Sequence, residues 1–206
     1  PVPLRGIDEP IAFHSVEGET PASPRRGRRW KTPFIGRTAE LDRLRQFLDR
    51  RELPGNSVVV VTGEAGIGKS RLVHEALTEA EALPPRVLMS VCSAYESARE
   101  FAAVRSLLHL GPEPPMNEHG ARLRQLRSEL VTIGLDPGEH LGLLARVIGI
   151  DPAAGYVAPP RDLSRIRGLT MESIRAWLTA LAVEGLLVRI EDLQWADQAS
   201  IELFTS

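Results

Sequence analysis

The chain has 206 residues, 43% hydrophobic and 25% charged, with a formal net charge of −2 at pH 7, a balance that suits one globular domain with attachments and gives no electrostatic basis for a nucleic-acid surface across the whole molecule. Cys92 is the single cysteine, which excludes an intrachain disulfide and a cysteine-rich metal site. No apolar run approaches the ~20 residues of a membrane helix and no signal pattern opens the chain, so the expected setting is a reducing cytoplasm, with no membrane partner.

Residues 1–18 centre on Leu4-Arg5-Gly6-Ile7-Asp8-Glu9-Pro10-Ile11-Ala12-Phe13-His14-Ser15-Val16, a strand-like piece with Gly and Pro turns. Pro21, Pro24 and Arg25-Arg26-Gly27-Arg28-Arg29-Trp30-Lys31 follow in segment 19–32. That run is short and lacks helical periodicity, so it reads as a solvated linker rather than a docking patch for an acidic partner.

Thr38 precedes a helix in which Leu41, Leu44, Phe47 and Leu48 share a face, with Glu40, Asp42, Arg43 and Arg45 largely on the others. Leu53-Pro54-Gly55-Asn56 makes a turn into a β-branched apolar strand at 57–62. That strand runs straight into Gly63-Glu64-Ala65-Gly66-Ile67-Gly68-Lys69-Ser70, which fits G-x-x-x-x-G-K-[ST] without a mismatch. Each residue type has a task there: the glycines let backbone amides turn inward on phosphates, Lys69 reaches the outer phosphates, and the Ser70 hydroxyl is placed for Mg²⁺. From Arg71 onward Leu72, Val73, Ala76 and Leu77 recur at helical spacing, so the loop opens a helix whose dipole favours anions. The residues expected to hold nucleotide in this stretch are Gly63, Glu64, Ala65, Gly66, Ile67, Gly68, Lys69, Ser70 and Arg71.

Residues 86–92 read as a second strand, and the β-α-β order implies a parallel sheet. The stretch 97–183 is mostly helical in pattern. Its apolar spacing shows in Phe101, Val104, Leu107 and Leu108, in Leu123, Leu126 and Leu130, and in Leu141, Leu143, Leu144 and Val147, with breaks at Gly111-Pro112, Asp136-Pro137 and Pro159-Pro160. These are read as helices covering the sheet plus an insertion. A further helix is expected over 170–183, capped by Thr170, buried through Met171, Ile174, Leu178 and Leu181, and ended by Gly185.

Leu186-Leu187-Val188-Arg189-Ile190 then reads as a third strand ending in the paired acids Glu191 and Asp192. Such a pair near a phosphate loop can set one carboxylate beside the Mg²⁺ and the other where it orients an attacking water. Glu191 is assigned to the metal side and Asp192 to water or metal, with the roles open to exchange. Together with Lys69 they form the expected catalytic set. Arg189 departs from the pattern, because a central parallel strand is apolar throughout and a buried Arg needs a partner. Trp195 and Asp197 are expected to fix the following turn, and His14 and His74 to be surface or packing residues.

Phe34-Ile35-Gly36-Arg37, the phosphate loop and Glu191-Asp192-Leu193-Gln194-Trp195-Ala196-Asp197 together resemble the AAA-like STAND ATPase module of bacterial signalling proteins, over 33–206. The resemblance implies a P-loop NTPase three-layer sandwich with a parallel sheet and a helical insertion. It also implies ATP rather than GTP, Mg²⁺ as its companion, Ile35, Gly36 and Arg37 near the adenine, and slow hydrolysis acting as a switch on neighbouring domains, including downstream helical sensor domains.

The piece at 1–18 is similar to the last strand of class III adenylate/guanylate cyclase domains, which often carry a Leu-Lys-Gly, Glu-Pro-Val and Tyr-x-Val run. Arg5 stands for the Lys, Ile11 for the Val, and Phe13-His14 lie where the Tyr falls. The chain starts without Met and stops in a helix-like Leu203-Phe204-Thr205-Ser206, so a fragment of a cyclase-ATPase fusion is expected, cut within its last domain and lacking the cyclase catalytic residues. The alternative is the ATPase module of a large LuxR-type transcriptional regulator. A small-molecule kinase is disfavoured by the paired acids and the Gln-Trp-Ala-Asp that follows them.

Overall fold

A computed structural model of the chain describes residues 32–49, 57–80, 83–108, 119–150, 156 and 162–205. The cyclase-like piece, the linker apart from Thr32, the turn at 53–56 and the breaks at Gly111-Pro112 and Pro159-Pro160 lie outside those residues. In chain order the elements are α1 (Thr38–Asp49), α2 (Lys69–Glu79), β1 (Arg86–Val91), α3 (Ala102–Leu107), α4 (His119–Thr132), α5 (Pro137–Val147), α6 (Leu163–Ala182), β2 (Leu186–Glu191), a 3-10 turn (Leu193–Trp195) and α7 (Gln198–Thr205).

The strands β1 and β2 pair in parallel, from Arg86 opposite Leu186 to Val91 opposite Glu191. Side chains alternate across a strand. Leu88, Leu186 and Val188 accordingly join the larger core, and buried Ser90 donates its hydroxyl to the Ala103 carbonyl at 2.7 Å. Arg189 and Glu191 occupy the other face of β2, which looks toward the start of α2 (Arg189 to the Ser70 carbonyl, 3.1 Å).

Helices α3 to α7 and the core face of the sheet enclose Val104, Leu126, Leu130, Leu144, Ile174 and Trp177, which is fully buried. A smaller cluster joins α1 to α2 through Leu41, Leu72 and Ala76, with Phe34, Leu44, Leu48 and Val61 packed around it. Arg45 of α1 pairs with Glu79 of α2 across this contact.

Two expectations are corrected. The strand at 57–62 is not formed: these residues pair with nothing as a strand, and Val58 and Val60 are 80% and 69% exposed. A strand is a property of a pair, and apolar β-branched sequence without a neighbour has no ladder to join. The described sheet therefore has two strands rather than three.

The helix expected at 170–183 starts earlier. Asp162 caps α6 by accepting the backbone N–H groups of Ser164 and Arg165, so Thr170 lies buried inside the helix and Gly168 does not break it. Gly185, at φ 101, closes the turn after α6. The boundary at Asp136-Pro137 is present as the start of α5: Asp136 accepts the Gly138 N–H at 2.8 Å, and Pro137 takes the first helical position.

Candidate functional site

The loop 63–68 leads into α2 as its glycine spacing requires. Gly66 and Gly68 have φ of 76 and 98, left-handed values that side chains rarely adopt, and Gly68 is the residue on which α2 begins. No side chain caps that helix start. Its first amides are therefore available to an anion. Lys69 folds back over the loop and donates to the carbonyls of Gly63 and Glu64, each at 2.9 Å. The ammonium thus sits where the loop would surround a phosphate, and Ser70 beside it is exposed.

The segment 32–37 is fastened to the same helix. Arg71 donates to the Thr32 hydroxyl at 3.0 Å and to its carbonyl, and its guanidinium lies over the Phe34 ring at 5.7 Å. Gly36 and Arg37 both take positive φ, 77 and 55. The turn brings the Arg37 guanidinium within 3.8 Å of the point a Cβ on Gly68 would occupy, and the Arg37 carbonyl accepts the Leu41 N–H that starts α1. Of the three residues expected near the adenine, Arg37 meets the loop directly, while Ile35 is 85% exposed.

The acid pair arrives on β2, 121 positions beyond Ser70 in the case of Glu191 (191 − 70). Glu191 ends the strand on the face that looks toward α2 and is ion-paired with Arg189, whose Nη2 also donates to the Ser70 carbonyl at 3.1 Å. Asp192 follows at φ 54, where the chain turns, and its carboxylate accepts from Gln194 at 3.4 Å. Arg189 therefore links the Glu191 carboxylate to the Ser70 backbone carbonyl. Arg189 enters the site as a residue the motif does not contain, signalled in sequence only as a charge in an apolar strand.

Asp197 is structural, as its place in the turn suggested. It is buried, accepts the N–H groups of Phe101, Ala103 and Ser200, and takes the Ser200 hydroxyl at 2.6 Å. Cys92 lies at the adjacent end of β1, its N–H donated to the Glu191 carbonyl at 3.0 Å. Burial, then the charges of Asp197 and Asp192, push its thiol above the ordinary value, so it is not a reactive thiolate.

The residues present fit a nucleotide carrying a hard divalent cation. Among the described residues no group of three or more His, Cys, Asp or Glu forms a protein cage for a metal. One hydroxyl at Ser70 and one carboxylate at Glu191 suit Mg²⁺, which keeps several waters and takes the rest of its ligands from phosphate. Among the described residues no helix is long and apolar enough to cross a membrane.

A glycine-lined loop at an uncapped helix start, closed by its own lysine and faced by an acid-ended parallel strand, defines an AAA-like P-loop ATPase module. A family model described as AAA ATPase domain matches residues 33–206, and the chain belongs to that family. Comparison with curated proteins and with solved structures gave no match. Domains of this family generally bind ATP with Mg²⁺.

Proposed function

We propose that the chain is the ATP-binding regulatory part of a multidomain bacterial signalling protein of the STAND class, in which slow ATP hydrolysis serves as a conformational switch. The observation that carries this is the loop geometry: Lys69 lies on the Gly63 and Glu64 carbonyls at the uncapped start of α2, where the loop glycines turn. In this reading the module spans 33–206, in the three-layer arrangement of P-loop ATPases. Segment 19–32 is a linker, and 1–18 is the C-terminal strand of a class III cyclase domain. The partners are that upstream domain and downstream helical sensor domains of the same polypeptide. The cytoplasm is its place, and this part makes no direct contact with nucleic acid.

The chemistry is positioning and charge. Lys69, the amides of 64–71 and Arg71 hold phosphates, while Ile35, Gly36 and Arg37 flank the base. Mg²⁺ with ATP supplies the transferable phosphate and the charge that makes it reactive. Ser70 and Glu191 would hold the cation, and Asp192 or Glu191 would orient a water toward the outer phosphate.

Calorimetric titration of the chain and of Lys69→Ala with ATP, with and without Mg²⁺, tests the site. The expected result is a loss of affinity in the variant. Equal ATP affinity in both proteins rejects the loop as the phosphate site, and turnover at the rate of a metabolic kinase rejects the switch.

A further inference from the structure

We propose that Arg189 is a positioning residue for Glu191: its guanidinium clasps the Glu191 carboxylate to the first turn of α2, and loading of Mg²⁺ with ATP requires that clasp to open. The inference rests on the reading of Ser70 and Glu191 as the cation-holding pair.

The two-residue period of β2 puts Arg189 and Glu191 on one face, the face turned away from the apolar core. A strand face meeting a helix start has no structural need for a long cation there, since Leu or Val would cover the same backbone without desolvating a charge. Arg189 nevertheless reaches 119 positions back along the chain to the Ser70 carbonyl while pairing with Glu191. The two side chains are 12% and 19% exposed, deep enough for water to screen the pair only weakly. The Nε of Arg189 is buried without a hydrogen-bond partner among the described residues, so the side chain is not placed for its own best satisfaction.

Position therefore matters more than packing. Lys69 cannot substitute, because its ammonium is engaged by two loop carbonyls. A guanidinium between Ser70 and Glu191 fills the charge role that a divalent cation would take, and a second cation brought to the same carboxylate meets like-charge repulsion. Glu191 can serve one of them at a time. Arg189 thereby ties β2 to α2 and makes cation loading cost the breaking of that tie, which sets a threshold on nucleotide binding.

The test measures ATP binding to the whole chain, with and without Mg²⁺, for wild type, Lys69→Ala, Arg189→Met and Arg189→Lys, together with unfolding of Arg189→Met, Glu191→Gln and their double variant. Arg189→Met is expected to tighten Mg²⁺-dependent ATP binding by about three- to thirty-fold, the scale of one charge-assisted hydrogen bond, with no such tightening when Mg²⁺ is left out. Arg189→Lys keeps the charge but not the fork that serves two acceptors, so it should fall between wild type and Arg189→Met. In the nucleotide-free protein the two substitutions should be non-additive in stability, and saturating Mg²⁺ with ATP should abolish that coupling.

Unchanged or weaker Mg²⁺-dependent affinity in Arg189→Met overturns the clasp, as does coupling that survives Mg²⁺ and ATP. If wild type and Lys69→Ala bind ATP equally, the nucleotide-site reading fails and the clasp falls with it. If Lys69→Ala loses ATP while Arg189→Met changes nothing, the site stands and only the clasp is rejected.

Discussion

The carboxylate of Asp197 accepts the backbone N–H of Phe101 at 2.8 Å, joining positions 96 apart at a buried point between the turn after β2 and the start of α3. The same side chain accepts the N–H of Ala103 at 3.3 Å and caps α7 through the N–H and hydroxyl of Ser200. One carboxylate thus holds two helix starts against the end of the strand that carries Glu191. Asp197→Ala leaves those donors buried and unpaired and should cost about 2–4 kcal/mol of stability, read as a lower urea midpoint.

The same residue predicts a pH dependence. Burial pushes the Asp197 carboxyl up, but the hydroxyl and N–H of Ser200 and the amides of Phe101 and Ala103 outweigh it and hold the group below its ordinary value. A carboxyl whose folded value lies below its unfolded one stabilises the fold above roughly pH 4, the unfolded value, and loses that contribution as pH falls through the folded value. Asp197→Asn should flatten this acid limb of stability against pH. A limb as steep as wild type would show that other carboxylates set it.

Trp177 is fully buried in α6 among the residues of the larger core. Trp177→Ala should cost about 3–5 kcal/mol and Trp177→Phe less, measured by thermal or urea unfolding. Nucleotide affinity of the folded fraction should not change with Trp177→Phe, because Trp177 packs in the larger core, to which no residue of the loop belongs.

Gly68 has φ 98, and a Cβ there would stand 3.8 Å from an Arg37 nitrogen, so space is available and only backbone strain opposes a side chain. Gly68→Ala should lower stability by about 1–2 kcal/mol and weaken ATP binding more than that strain alone, since the loop amides are displaced with it. ATP titration beside urea unfolding separates the two effects.

Arg71→Ala removes the bonds to Thr32 and the contact with Phe34 and so frees the segment that presents Ile35, Gly36 and Arg37. Its effect should be a several-fold loss of ATP affinity, with stability reduced by about 1 kcal/mol. Retained affinity would show that 32–37 does not serve the base.

Glu191→Gln keeps the shape of the strand end and removes the charge. ATP binding should persist while hydrolysis falls by about a hundred-fold or more, followed as phosphate release under single turnover. Asp192→Asn measured the same way separates the two carboxylates: the larger loss of hydrolysis marks the one that orients the water.

The parts of the molecule legible in its sequence are those whose signal is local. The phosphate loop and α2, the Leu spacing of α4 and α5, and the acid-ended β2 all declare themselves within a dozen residues, because a helix satisfies its own backbone and a glycine pattern acts on its own chain. Even local signals mislead when two compete: Thr170 reads as the cap, while the stronger cap is Asp162, whose carboxylate meets two amides of the first turn. The segment 57–62 fails for another reason. Its valines have strand propensity, but among the described residues no strand pairs with them.

Taken by itself, the sequence determined the class of chemistry: a loop of this composition before a helix binds phosphate, and Glu191 ends a strand fit to face it. Only the tertiary structure decided which groups meet. Arg189 finds the Ser70 carbonyl across 119 positions, Asp197 finds Phe101 across 96, and Glu191 pairs with the same Arg189 that reaches α2. Such meetings depend on how parallel strands and their covering helices pack, an outcome of many weak apolar contacts summed over the core, and no spacing in one short stretch encodes it.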